Sequence, residues 1–305
     1  MGTDLQLGLA SIVVKVLISQ PPCKMVSPAH SSLNRAPLRI TIMKIILTVH
    51  VAILRLGWVG LMFAAASAVC LAQTDEIQVY DGELAPKHKF NLMLHNNFTP
   101  KGAKEAAFDG GLVPNHAYVG VAEWAYGVTD WFEQGLYLPL YSYTSNQGLT
   151  YNGMKLRWLF ARPHAADHKF VYGVNFEFSI NQKHWDNRRI TSEIRPIVGW
   201  HFKPADVIVN PIFDTSYVGG LKSLDFAPSV RVAHNFSPKW AGAIEEYADY
   251  GPLRSIYSAH DQSHQIWGVV NHAFKGFDVE AGIGFGVTAA SDRVTLKLMV
   301  ARDLN

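Results

Sequence analysis

From residue 89 to residue 302 the chain keeps setting apolar or aromatic residues against polar residues or glycine with a period of two. In 170–180 one set is Phe170, Tyr172, Val174, Phe176, Phe178 and Ile180, and the other contains Gly173, Asn175, Glu177 and Ser179. In 277–287 Phe277, Val279, Ala281, Ile283, Phe285 and Val287 oppose Asp278, Glu280 and the glycines at 282, 284 and 286. Val294, Leu296, Leu298 and Val300 oppose Arg293, Thr295 and Lys297 in the same way. Successive side chains of an extended chain point to opposite faces, so each run predicts a strand with one apolar and one polar face.

Twelve runs follow this rule: 89–98, 116–126, 131–143, 150–160, 169–180, 190–202, 206–215, 226–236, 239–250, 264–274, 277–288 and 293–302. Each is about 10 to 13 residues, the length with which a tilted strand crosses a bilayer and long for a soluble sheet. Brief joins such as Lys203 to Ala205, Ser237-Pro238 and Lys275-Gly276 alternate with longer ones such as 99–115, 181–189, 216–225 and 251–263. Short periplasmic turns and long outer loops produce that alternation when both ends of the barrel are periplasmic. A soluble sandwich or lipocalin-like barrel shares the alternation. The aromatic residues favour the membrane: Trp124, Tyr126, Trp131, Trp158, Phe160, Trp200, Phe202 and Trp240 gather beside the short turns, as in an interfacial girdle. The expected fold is all-β, a closed antiparallel barrel of about twelve transmembrane strands.

Composition agrees with an unusual solvent. Only 17% of residues are charged while 12% are aromatic, lean in charge for a soluble domain. The first 72 residues read as processing sequence. Met43-Lys44 starts a segment with Arg55 and an apolar run, Leu56 to Val69, ending in small residues, the order of a secretory signal. Residues 1–42 read as an over-extended start or a disordered segment, 43–72 as the signal peptide with cleavage near 67–73, and 73–305 as the barrel. Both cysteines, Cys23 and Cys70, precede residue 73, which leaves the barrel without thiol chemistry. Six of the 27 cations and one of the 25 anions also precede it, so the remainder carries 21 positive and 24 negative charges. That balance and the lack of a basic block exclude a nucleic-acid partner.

The segment from Trp124 to Pro139, Trp-Ala-Tyr-Gly-Val-Thr-Asp-Trp-Phe-Glu-Gln-Gly-Leu-Tyr-Leu-Pro, resembles the second hairpin of the bacterial outer-membrane family named for the MetA pathway of phenol degradation. Glu76-Ile77-Gln78-Val79-Tyr80 and Leu94-His95-Asn96-Asn97 are similar to the same group. The resemblance implies a barrel in the outer membrane of a Gram-negative bacterium that passes a small solute, aromatic or hydrophobic in character. It supplies no catalytic residues. The ending Arg302-Asp303-Leu304-Asn305 departs from the terminal aromatic residue that the barrel assembly machinery reads in many such proteins.

Facing assigns Glu123, Lys155, Arg157, Asn175, Glu177, Glu193, Arg195, Asn210, Asp214, Arg231, Asp278, Glu280 and Lys297 to the lumen, because a Lys or Arg facing lipid near the midplane costs roughly 2 to 4 kcal/mol. Both signs are mixed, which suits either a salt-bridged filling or a selective passage. Folding 190–202 onto 206–215 about the Lys203-Pro204-Ala205 turn predicts Arg195 opposite Asp214, and the preceding hairpin, across the loop 181–189, predicts Glu177 near Glu193. Outer-membrane phospholipases and lipid A deacylases use barrels of similar strand number, so hydrolysis is a further, less favoured alternative. Its nearest candidates are Ser258 and His260, in an outer loop without a nucleophile motif. His164 and His168 flank a turn beside Pro163, and spacing of four aligns two histidines only on a helix. The loop Gln182 to Arg189 reads as a polar outer loop with cations suited to lipopolysaccharide phosphate. The expected activity is passage of a small solute without a cofactor. A non-conducting barrel that acts through its outer loops is the alternative. Expected partners are the solute, outer-membrane lipid and lipopolysaccharide, and the assembly machinery.

Overall fold

The computed structural model describes residues 75–304, all within one compact unit. The start segment 1–42, the signal peptide expected at 43–72, and both cysteines lie outside the described residues. Fourteen hydrogen-bonded segments form the wall: β1 (Phe90–Lys101), β2 (Ala117–Thr129), β3 (Phe132–Thr144), β4 (Gly148–Ala161), β5 (Phe170–Asn181), β6 (Ile190–His201), β7 (Ala205–Asn210), β8 (Phe213–Thr215), β9 (Asp225–Phe226), β10 (Ser229–Ser237), β11 (Trp240–Asp249), β12 (Ser263–Phe274), β13 (Phe277–Gly286) and β14 (Val294–Leu304).

They amount to twelve staves. β7 and β8 both pair with β6 and are separated by Pro211-Ile212, and β9 and β10 are separated by Ala227-Pro228. A proline cannot donate to a ladder, so each of these staves breaks there and resumes. Every pairing along the wall is antiparallel between chain neighbours, and β1 closes on β14 from Phe90↔Leu304 to Lys101↔Val294. The closed twelve-stave antiparallel barrel read from the sequence is therefore the fold, and the strand limits agree with the alternating runs to within a few residues.

Alternation fails locally at two places. In β3 the inward set is Glu133, Gly135 and Tyr137 below Leu138-Pro139, but Leu140, Ser142 and Thr144 above it. Across the ladder, β4 makes the matching change at Gly153, whose φ of +135° and close approach to the Ile180 carbonyl leave no room for a Cβ. These bulges re-aim the upper halves of both strands without opening the sheet.

Outside, Leu94, Ile194, Ile244, Val270, Ile283, Leu296 and Leu298 form an exposed apolar band. At the short-turn end the band meets paired aromatic rings, with Phe132 on Phe160 at 4.7 Å, Phe90 on Tyr126 at 4.7 Å, Phe170 on Trp200 at 5.5 Å and Trp240 on His272 at 3.9 Å. An exposed apolar surface of this extent is suited to hydrocarbon, and the ring belt to the interface. No helix among the described residues is long and apolar enough to cross a membrane. The crossing is made by strands.

Inside, one aromatic dictates a glycine. Trp267 is fully buried and faces Gly284 across the β12–β13 ladder, where an added Cβ would lie 2.1 Å from the indole. Gly284→Ala should therefore lower the temperature at which the folded, faster-running gel band disappears, by the equivalent of about 1 to 3 kcal/mol. Gly268→Ala, where the added methyl meets nothing within 4 Å, should leave it unchanged; equal midpoints would contradict this packing.

Candidate functional site in the lumen

Residues 75–86 do not join the wall, and 87–89 touch it only through an isolated bridge to Gly127. They thread the lumen from its long-loop half to the short-turn mouth, where the chain turns into β1. Glu76, Ile77, Val79, Tyr80 and Ala85 are buried along the way. Asn210 grips this strap as a backbone neighbour would: its Oδ1 accepts from the Tyr80 amide at 2.7 Å and its Nδ2 donates to the Tyr80 carbonyl at 2.9 Å. Gly82, at φ +85°, passes against Val171, where a Cβ would come within 2.9 Å. At the mouth the Ala85 amide donates to Glu133, and the His88 amide donates to the Gly127 carbonyl at 2.7 Å. The alternation could not reveal the strap, because a segment crossing a lumen has no lipid face.

Around the strap the charged residues form three groups. In the first, Arg157 pairs with Glu133 and, at 2.7 Å, with Glu123, which also holds His95 at 2.8 Å. Arg157 further donates to the Tyr80 hydroxyl at 3.2 Å, and that hydroxyl meets the Tyr137 hydroxyl at 2.7 Å. In the second, Lys297 lies 2.6 Å from both Glu245 and Glu280 and donates to the Ile77 carbonyl at 3.1 Å. Arg231 joins the same two carboxylates and Asn271. The first two groups and the strap form a septum of buried side chains across the middle of the barrel.

The third group faces a cavity of about 330 Å³ on the long-loop side of the septum. Lys155 bridges Asp75 at 2.8 Å and Glu177 at 2.9 Å, while Arg195 binds Glu193 at 2.6 Å and Glu76 at 3.1 Å. Asn175, fully buried, donates to Glu177 at 2.9 Å.

The structure thus brings Glu123, Arg157, Asn175, Glu177, Arg195, Asn210, Glu280 and Lys297 together as buried interior residues, with Lys155, Glu193, Asp214 and Arg231 partly buried beside them. Asp278 lies apart, exposed near the short-turn mouth. Sequence reasoning passed over His95, Glu133, Glu245 and the strap acids Asp75 and Glu76. The first three stand on inward positions of alternating strands and were legible in principle.

The expected pairing of Arg195 with Asp214 needs correction. Observed partners are Val198↔Val209, Trp200↔Val207 and Glu193↔Asp214, so the hairpin is offset by two residues. An even offset keeps every face and changes only neighbours. Glu177 does stand directly opposite Glu193.

The outer loop 182–189 is not simply a polar outer loop. Trp185 is buried against Leu112, Val119, Val121, Tyr137 and Leu140, and the Leu112 amide donates to the His184 carbonyl at 3.2 Å. This loop and 102–116 close one side of the mouth. In the loop 250–262, Ser258 donates to Asp261 at 2.7 Å and His260 lies 3.1 Å from the same carboxylate, so serine and histidine share an acid instead of bonding to each other. These two bonds hold the Asp261 carboxyl below its usual range, the Ser258 bond contributing most.

No protein-family model matches the chain, and no curated protein does. Solved structures that it resembles include the translocator domain of autotransporter NalP from Neisseria meningitidis, at 9% identity and TM-score 0.38 over 71% of this chain and 88% of that one. OprD from Pseudomonas aeruginosa aligns at 10% identity and TM-score 0.34, over 71% of this chain and 65% of its own. LpxR from Salmonella typhimurium aligns at 6% identity and TM-score 0.37, over 70% and 99%.

Arg195 now has Glu193 and Glu76 as its partners. Arg195→Ala should lower barrel stability by about 3 to 5 kcal/mol, since it leaves buried carboxylates without a counter-charge. Adding Glu193→Ala should restore part of the loss. A double-mutant cycle by chemical unfolding in detergent checks this, and strict additivity would refute the contact.

Proposed function

We propose that the protein is an outer-membrane, porin-like barrel for a small solute, in which the strap 75–89 and its septum hold the resting passage shut. The observation that carries this reading is a polar cavity, open toward the long loops, whose inner end is lined by the strap residues Asp75, Glu76, Ile77 and Gln78 as well as by the wall. The outer-membrane location is supported by the apolar band and the aromatic belt, which suit a bilayer, and by the export signal expected at 43–72. Outer-membrane lipid would contact that band, lipopolysaccharide the outer loops, and the assembly machinery would insert the chain. Membership of the MetA-pathway family rests on the segments around 76–80, 94–97 and 124–139 alone. An aromatic or hydrophobic solute is implied by that resemblance only.

The packed septum also suits a second reading, a non-conducting barrel acting through its outer face. Conductance separates the two. In a planar bilayer the unaltered chain should conduct rarely, and Tyr80→Ala combined with Asn210→Ala, which removes the grip on the strap, should raise the open fraction or the unitary conductance several-fold. Silence from both proteins, each folded by gel mobility, would leave the non-conducting reading.

A further inference from the structure

We propose that the lumenal cavity binds a small organic cation, one or more ammonium or guanidinium groups on a short apolar frame. This rests on the passage reading and names the class of its solute.

The register sets acids in series across adjacent strands. Glu177 opposes Glu193, Glu193 opposes Asp214, and Asp214 opposes Asp225. Like charges directly opposite each other destabilise a sheet. The neighbouring cations offset only part of this row: Lys155 is shared between Glu177 and Asp75, and Arg195 between Glu193 and Glu76. Asp225 lies 3.9 Å from Arg188. The Asp214 carboxylate makes no hydrogen bond and no ion pair within 4 Å among the described residues, and Arg195 and Lys155 attract it only from farther away.

The strap supplies an independent observation. Glu76 lines the same cavity with a side chain 1% exposed, and while its Oε1 takes Arg195, its Oε2 has no hydrogen-bond partner among the described residues. A buried carboxylate oxygen without a donor is unfavourable and marks a place where a donor is missing. Nine acidic and three basic side chains line the cavity, so its field attracts cations.

Geometry selects an organic cation over a metal ion. No three acidic or histidine side chains among the described residues converge closely enough to hold a metal. The volume of about 330 Å³ suits a small molecule, and Ile212, Trp185 and Tyr247 give it apolar and aromatic walls.

The purified full chain in detergent would be titrated calorimetrically with hexamethylenediamine, with hexanediol and adipate as neutral and dianionic molecules of the same length, and with calcium ion. The diamine should bind saturably and at least about tenfold more tightly than the diol, the worth of one ion pair of about 1.4 kcal/mol, and adipate should not bind. Asp214→Asn and, separately, Glu76→Gln should each weaken the diamine about tenfold. Asp214→Asn should also raise the unfolding midpoint of the ligand-free barrel, because it removes a like-charge pair; a merely structural acid would lower it. Equal affinity for diamine and diol, unchanged binding in both variants, or calcium binding tighter than the diamine would overturn the proposal. Conductance of the Tyr80→Ala, Asn210→Ala barrel separates the two readings: diamine binding by the unaltered chain with no conductance from the loosened barrel leaves the cation site and refutes passage, and conductance of the loosened barrel without diamine binding does the reverse.

Discussion

A hydrocarbon surround accepts no unpaired backbone N–H or C=O group, and the ladder between β1 and β14 is how this chain meets that constraint. Without that ladder the sheet would have two open edges in lipid. With it, every stave has two neighbours, and the alternating residues sort into one set for lipid and one for the lumen. The breaks at Pro211-Ile212 and Ala227-Pro228 are bridged by a hydrogen bond from the Ala227 amide to the Ile212 carbonyl at 3.0 Å. Closure survives the loss of proline donors because the flanking staves remain in register.

A ring of twelve staves encloses a narrow interior, and this chain fills its middle with charge and with its own strap. The filling works because each of its acids lies against a cation. Arg157 is shared by Glu123 and Glu133, His95 also lies on Glu123, Lys297 and Arg231 together serve Glu245 and Glu280, and the Tyr80–Tyr137 hydroxyl pair and Asn271 add further hydrogen bonds. Removing one member of such a group leaves a buried charge, so the septum is sensitive to single substitutions although each ion pair adds little net stability by itself. The strap is part of the matching, since backbone carbonyls of Ile77 and Gln78 accept from Lys297 and Arg195.

Matching stops at the cavity. On the long-loop side the acids exceed the cations that reach them, and three successive cross-strand pairs are acid on acid. The contrast between a septum in which every acid lies against a cation and a chamber above it in which Asp214 lies against none does not serve stability, which the extra acids oppose. The chamber's own cations, Lys155 and Arg195, still tie the strap acids Asp75 and Glu76 to the wall. Trp185 and Leu112, folded in from two outer loops, narrow the chamber from one side.

Strand number, strand limits, closure and the inward face were legible in the sequence because each rests on a two-residue period enforced by lipid on one side. The Trp124, Trp158, Trp200 and Trp240 cluster located the short-turn interface for the same reason, since aromatic rings belong at that depth. Pairing partners were less legible. Arg195 was assigned to Asp214 from turn length alone, whereas the turn at 202–204 sets an offset of two, which the face pattern cannot detect. The bulges at Pro139 and Gly153, the inward fold of Trp185 and the threading of residues 75–89 were decided by tertiary structure. None of these has a periodic signature, because each is fixed by what fills the lumen and not by which solvent lies outside. The sequence by itself determined which side chains face inward along the regular staves; only the folded ring decided where a bulge reverses that face, which side chains meet, and where a carboxylate is left without a partner.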